Sequence, residues 1–186
     1  MSNPAAQGQP EDQIRAPFEE LVLAVGELAS LPRKKVALVG ESSISALKTR
    51  PDYAVSVHNA LVGFVELKAP GKGADPRKFK DPHDKAQWAK LHSLPNLIYT
   101  DGNAFSLWQD GELVDSVVTL IGDIETSGNK LQAPPGLLRL FEKFLRWEPI
   151  PPRSAKELAH ISARLCRLLR DEVAEQLALG DRKSVV

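Results

Sequence analysis

The stretch PDYAVSVHNALVGFVELK, residues 51–68, decides how this chain is organised. Its first part, residues 51–57, alternates between residue types, as a half-buried strand does. Asn59 supplies turn chemistry, and residues 60–69 form a nearly continuous apolar run. Such a run is typical of a strand buried on both faces. The pattern therefore predicts a β-hairpin whose second strand lies in the centre of a sheet.

Three charged residues of this hairpin are candidates for chemistry. Glu66 interrupts the apolar run, where a carboxylate is costly to bury unless it is paired or binds a cation. Lys68 follows two residues later and so leaves the same face of the strand. Asp52 begins the partner strand, so two carboxylates and an ammonium can converge at one end of the sheet. Carboxylate oxygens suit Mg²⁺, which activates water and neutralises charge on a phosphate.

Plainer interpretations of the three residues stay open on the sequence alone. Asp52 follows Pro51 and could simply be a turn residue. Glu66 and Lys68 could form an ion pair on the solvated face of an edge strand.

Working outward from the hairpin, the periodicity predicts further elements on both sides. We expect a disordered tail at 1–12, helices at 13–29, 83–94, 137–147 and 154–178, and strands at 36–39, 96–100, 104–108 and 113–120. A basic, proline-containing loop fills 70–82, and a stiff connector fills 148–152. The order of elements favours a mixed α/β fold over a strictly alternating parallel one.

Pro51-Asp52, thirteen intervening residues, then Glu66-Leu67-Lys68 resembles the signature of the PD-(D/E)XK nuclease superfamily. The resemblance implies an α/β, restriction-endonuclease-like mixed sheet flanked by helices, with a C-terminal helical extension. It implies Mg²⁺ as cofactor, with Mn²⁺ as a substitute, held by Asp52 and Glu66. Lys68 would assist the attacking water.

The same resemblance implies two supporting residues on helices. A glutamate of the first helix would join the metal site, and of Glu19 and Glu20 we favour Glu19. Gln87, on the helix after the motif, would be a fourth catalytic residue. Without the resemblance, all three would be read as ordinary solvated helix residues.

A narrower resemblance covers most of the chain. Residues 51–53, 63–68, Gln87 and 95–102 are similar to the N-terminal nuclease region of type IIG and type ISP-like single-chain restriction–modification enzymes. It implies a nuclease domain at 13–121 and a helical spacer at 136–180, leading toward a methyltransferase. The methyltransferase and target-recognition domains would follow in cis or belong to a partner chain. Double-stranded DNA would be the substrate, cut by a transient dimer.

The loop after the hairpin is the candidate DNA-contacting segment. Its basic residues are Lys72, Arg77, Lys78 and Lys80. They could contact phosphates, or they could be ordinary solvated loop residues. The net charge of the chain does not decide between these two roles. The chain has 24 Lys and Arg against 24 Asp and Glu, so its formal net charge is zero.

Composition limits the remaining possibilities. The single cysteine, Cys166, excludes an intramolecular disulfide and a cysteine-based zinc site. We expect a cytoplasmic protein without a membrane partner, since no run approaches the ~20 apolar residues of a span. Two functions compete: a Mg²⁺-dependent endonuclease, and a non-catalytic module of the same fold that binds DNA or docks a methyltransferase through its C-terminal helices.

Overall fold

The computed structural model describes residues 12–40 and 51–148, together with the single helical positions 159, 163 and 170. The α-helices of residues 12–148 are α1 (Asp12–Leu28), α2 (Pro82–Leu91) and α3 (Pro135–Leu145). The strands are β1 (Val36–Gly40), β2 (Tyr53–Val57), β3 (Ala60–Leu67), β4 (Leu97–Thr100), β5 (Ala104–Gln109) and β6 (Glu112–Thr119). Short 3₁₀ turns lie at Arg33–Lys35, Pro76–Lys78 and Gly128–Lys130.

The six strands form one mixed sheet in the order β1-β2-β3-β4-β5-β6. Every neighbouring pair is antiparallel except β3 and β4, which run parallel. A parallel pair requires a crossover, and α2 lies in that connection. The predicted hairpin is confirmed as β2 and β3. His58 and Asn59 form its turn with positive φ angles of 52° and 65°, as a twisted two-residue turn requires.

Both faces of the sheet are covered. One face packs against α1 and α3, and the side chains of Val65 and Leu67 from β3 belong to that cluster. The other face packs against α2 and the loop before it, and Phe64 of β3 contacts that second cluster. Because side chains alternate along a strand, Glu66 lies on the α2 face. This double coverage explains why β3 is apolar almost throughout.

The packing of α1 and α3 follows from their apolar spacing. α1 buries Ile14, Phe18, Val22 and Val25, which recur every three or four residues. α3 buries Leu137, Leu140, Phe141, Phe144 and Leu145 in the same way. The end of α3 approaches β3 at Gly63, where Asn96 donates hydrogen bonds to the Val62 and Phe144 carbonyl oxygens at 2.8 and 3.0 Å.

The fold class predicted from the sequence is confirmed: a mixed α/β sheet flanked by helices, consistent with a restriction-endonuclease-like fold. α1 begins at Asp12 and accommodates Pro17 inside it, and α2 ends at Leu91, three residues earlier than predicted. There the chain leaves the helix in a turn in which Leu94 N donates to the Leu91 carbonyl. Residues 1–11 and most of the helix predicted at 154–178 lie outside the described residues. No helix in the described part of the chain is long and apolar enough to cross a membrane.

Candidate active site

Glu66 is the centre of the candidate site. It is 3% exposed on the α2 face of β3. Its Oε1 accepts a hydrogen bond from Lys68 Nζ at 2.9 Å, whereas its buried Oε2 has no partner among the described residues. Burial and the negative charge of Asp52 outweigh Lys68 and Gln87 and raise the pKa of Glu66 to about 8. The carboxylate is therefore buried with only one of its two oxygens hydrogen-bonded among the described residues.

Asp52 lies just before β2 and is tied to the strand that carries Glu66. Its Oδ2 accepts a hydrogen bond from the Leu67 backbone N–H at 2.7 Å. Its Oδ1 accepts one from the Arg15 guanidinium of α1 at 2.6 Å. Asp52 is only 7% exposed. A simple turn role does not account for these contacts, which join distant parts of the chain.

Lys68 extends from the end of β3 toward α2 and has two hydrogen-bond acceptors and one further ion-pair partner. Its Nζ lies 2.9 Å from Glu66 Oε1, 2.5 Å from Gln87 Oε1 and 3.2 Å from Asp84 Oδ1. Burial alone disfavours its charged form, but the carboxylates of Glu66 and Asp84 outweigh burial and raise its pKa. Lys68 is thus a hydrogen-bond donor held beside the Glu66 carboxylate.

The interpretation of Glu66 and Lys68 as a solvated edge-strand pair is excluded by their position. Both residues are more than nine-tenths buried, and β3 has a hydrogen-bonded neighbour on each side. Gln87 is only partly buried, but its contact with Lys68 brings the predicted supporting glutamine to the motif.

Asp84 is a member of this cluster that the sequence reasoning missed. It is 3% exposed on α2, and its Oδ2 lies 2.5 Å from Lys72 Nζ. Burial works against its charged form, but Lys72 and Lys68 outweigh it and lower the pKa of Asp84. The available signal was its position three residues before Gln87, which places both residues on one face of a helix.

The glutamates of α1 have other neighbours. Glu19 Oε1 accepts a hydrogen bond from the Tyr53 hydroxyl at 2.7 Å, and Glu20 pairs with Arg33 at 2.5 Å. The residue of α1 that contacts Asp52 is Arg15. A metal-ligating role for Glu19 therefore stays a prediction, and no hydrogen bond or ion pair of the described residues joins it directly to Asp52 or Glu66.

The basic loop is largely engaged within the protein. Lys72 pairs with Asp84, and Asp75 pairs with Arg77 at 2.9 Å and with Lys78 at 3.6 Å. The Arg77 guanidinium also lies 4.9 Å from the centre of the Trp108 ring. Among the four predicted DNA contacts, Lys80 makes no ion pair within the described residues. The DNA-binding role of the loop stays a prediction.

Tyr99 is a second residue that the sequence did not single out. The parallel register of β3 and β4 places it directly beside Glu66, and it is fully buried among Phe79 and Trp88. Its hydroxyl has no hydrogen-bond partner among the described residues. Burial, followed by the charges of Glu66, Asp84 and Asp52, raises its pKa, so the hydroxyl stays neutral.

The donors present suit a divalent cation with a preference for oxygen. Glu66 offers a carboxylate oxygen with no partner among the described residues, and a cation would relieve its repulsion with Asp52, which helps to raise its pKa. The described residues also hold a cluster of Asp81, His83 and Asp84 with metal-binding spacing. There Asp81 caps α2 and Asp84 pairs with two lysines, so those carboxylates already have structural partners.

Comparison with known proteins gives little further identification. No protein-family model matches the sequence, and no curated protein matches it. Among solved structures, the chain is similar to one in a cryo-EM structure of a DrdV–DNA complex, with 26% sequence identity and a TM-score of 0.47. The similarity covers 75% of this chain and 12% of that chain, so this chain spans a small part of that longer protein.

Proposed function

We propose that this chain is a Mg²⁺-dependent endonuclease that hydrolyses phosphodiester bonds in double-stranded DNA. The observation that carries the proposal is Glu66. It is a buried carboxylate in an interior strand, with one oxygen unpaired, next to Asp52 and hydrogen-bonded to Lys68 on the same face. Burying such a group without a cation is unfavourable, so its position is best explained by a ligand that it binds.

Asp52 and Glu66 would hold the metal ion. A bound Mg²⁺ would lower the pKa of a water and offset the charge that builds on a phosphate. Asp52 is fixed for this role by the Leu67 N–H, which ties its carboxylate to the strand of Glu66. Glu19 would join only by exchanging its bond to the Tyr53 hydroxyl for the metal.

Lys68 would act on the phosphate as a fixed positive charge. Because its ammonium is kept protonated, it donates hydrogen bonds to the reacting oxygens and stabilises negative charge in the transition state. Gln87 would keep the ammonium aimed at the site, since its Oε1 accepts a hydrogen bond from Lys68 Nζ. This assigns Gln87 a positioning role and gives Lys68 the contact with the substrate.

The choice of DNA and of partner domains rests on the motif resemblance. In this proposal the loop residues Lys72, Arg77, Lys78 and Lys80 contact the DNA phosphates, and three of the four exchange an internal partner for a phosphate. Methyltransferase and target-recognition domains, in cis or as a partner chain, select the site beyond a spacer at 136–180. Two copies meet transiently to cut both strands.

The test of activity is a nicking assay on supercoiled plasmid with Mg²⁺ or Mn²⁺. Removing a group that stabilises transition-state charge costs about 100-fold or more in rate, and we expect at least that for Asp52→Ala and Lys68→Ala. The matched controls are Asp115→Asn and Lys143→Ala, which alter the two partners of an exposed ion pair outside the cluster. Undiminished cutting by both Asp52→Ala and Lys68→Ala would refute the proposal.

A second candidate function is a non-catalytic module of the same fold that binds DNA or docks a methyltransferase. The ion pair of Arg15 with Asp52 favours it, because a carboxylate bound by an arginine already has a structural partner. The two candidates differ in metal binding. If the protein takes up no Mn²⁺ at millimolar concentration, the second candidate is preferred.

A further inference from the structure

We propose that Asp84 is a positioning residue that holds the Lys68 ammonium from the side of α2. This inference rests on the proposed function, since it assigns Asp84 a task within the same site. Asp84 is far too buried for a solvated helix carboxylate, at 3% exposure. It belongs to neither the metal ligands nor the DNA-contacting loop proposed above.

The geometry around Lys68 gives Asp84 its role. Lys68 Nζ donates hydrogen bonds to Glu66 Oε1 and Gln87 Oε1, and Asp84 Oδ1 lies 3.2 Å away as its ion-pair partner on α2. Glu66 contacts the ammonium from β3, whereas Asp84 and Gln87 contact it from α2, where they lie one helical turn apart. Without the charge of Asp84, the ammonium loses its ion-pair partner on α2, and only the neutral amide of Gln87 holds it from that side. The contact therefore keeps Lys68 between the strand and the helix.

The local structure fixes Asp84 firmly enough for this task. It lies in the first turn of α2, where a negative charge is favoured by the helix dipole. Its backbone N–H donates to Asp81 Oδ1, the cap of the same helix, at 3.3 Å. Its second oxygen lies 2.5 Å from Lys72 Nζ. Two lysines and a helix terminus thus stabilise a carboxylate that would be costly to bury alone.

A purely structural role for Asp84 is the competing explanation. In that case Asp84 stabilises the position of the basic loop through its ion pair with Lys72, and its contact with Lys68 has no role in catalysis. Lys72→Met removes the loop contact and leaves Asp84 beside Lys68. Asp84→Asn keeps the size of the side chain and removes the charge. A structural role predicts that the two variants behave alike, and a positioning role predicts that only Asp84→Asn disturbs Lys68.

The state of Lys68 is readable by NMR of lysine ammonium groups in the full chain. Lys68→Arg assigns the signal by removing it. Removing the charge that pairs with the ammonium should weaken its retention, and we expect Asp84→Asn to speed its exchange with solvent by about tenfold or more. Lys72→Met and the distant ion-pair variant Asp115→Asn should retain the slow exchange. Slow exchange in Asp84→Asn, equal to that of the unmodified protein, overturns the proposal.

Catalysis supplies an independent measurement. In the nicking assay with Mn²⁺ we expect Asp84→Asn to lower kcat by about tenfold while the Mn²⁺ affinity stays unchanged. The control is Val22→Ala, which opens a cavity on the opposite face of the sheet and should reduce stability without changing kcat. Equal kcat for Asp84→Asn and the unmodified protein counts against the proposal. If the unmodified protein does not cut, the proposed function fails, and the NMR experiment still decides the role of Asp84.

Discussion

At the residue scale, the main feature is the cost of burying the Glu66 carboxylate in its ionised form. An interior strand strips a carboxylate of water, and Lys68 compensates only one of its two oxygens. The consequence is a raised pKa in the metal-free protein. Asp52 adds to this, because its negative charge also disfavours ionisation of Glu66. A carboxylate with these neighbours is destabilising when it is ionised, and a bound cation would offset that cost.

The pH dependence of stability follows from that pKa. The pKa of Glu66 is about 8 in the folded protein, against an ordinary value of 4.5, so the folded form binds the proton more tightly. The contribution of Glu66 to stability is complete below its ordinary pKa and is lost as the pH rises through about 8. In metal-free buffer, urea unfolding should therefore show stability falling from about pH 6 to about pH 8.5, more steeply than in Glu66→Gln. If stability fell equally with pH in the unmodified protein and in Glu66→Gln, the raised pKa assigned to the buried Glu66 would be contradicted.

Tyr99 gives a second prediction at this scale. Its hydroxyl is buried and has no partner among the described residues, so replacing it with hydrogen removes a group that contributes little and costs desolvation. We expect Tyr99→Phe to leave the free energy of unfolding unchanged or to raise it by about 1 kcal/mol or less. Urea unfolding of the metal-free protein measures this. A loss of several kcal/mol would mean that the hydroxyl has an internal partner after all.

At the element scale, the strands of the hairpin and α2 build the site together. Residues 51–68 were predictable as a hairpin because Asn59 marks the turn and the apolar run marks the central strand. The shared face of Glu66 and Lys68 was predictable as well, since side chains alternate along a strand. The contacts of Arg15 and Asp84 were not, because they depend on how α1 and α2 dock against the sheet. Local periodicity carries no information on that docking.

The close approach of α3 to β3 leads to a prediction at the same scale. A Cβ at Gly63 would lie 2.5 Å from Phe144 Cε2 and 2.7 Å from the Asn96 carbonyl oxygen. The backbone oxygen cannot move aside cheaply, so Gly63→Ala should destabilise the protein by about 1–3 kcal/mol. Gly40→Ala in β1 is the control, because no atom of the described residues lies within 4 Å of a Cβ there. Equal unfolding midpoints for the two variants would contradict the packing of α3 on β3.

At the scale of the whole molecule, one mixed sheet covered on both faces organises the chain. The order of elements could be predicted from turn residues and periodicity, and the fold class follows from that order. The sequence also located Asp52, Glu66, Lys68 and Gln87, which the fold brings to one end of the strands. The pairing of Lys72 with Asp84 could not be predicted, since it depends on how the loop docks against α2, whereas Arg77 and Lys78 pair locally with Asp75.

The central claim is that Asp52 and Glu66 together hold a divalent cation, and calorimetric titration with Mn²⁺ tests it most directly. We predict one binding event in the unmodified chain, weakened by about tenfold or more in Asp52→Asn and in Glu66→Gln, since each loses a charged ligand. Asp115→Asn, an exposed carboxylate paired with Lys143, should bind as the unmodified chain does. Absence of binding at millimolar Mn²⁺, or equal affinity in all four proteins, would contradict the account.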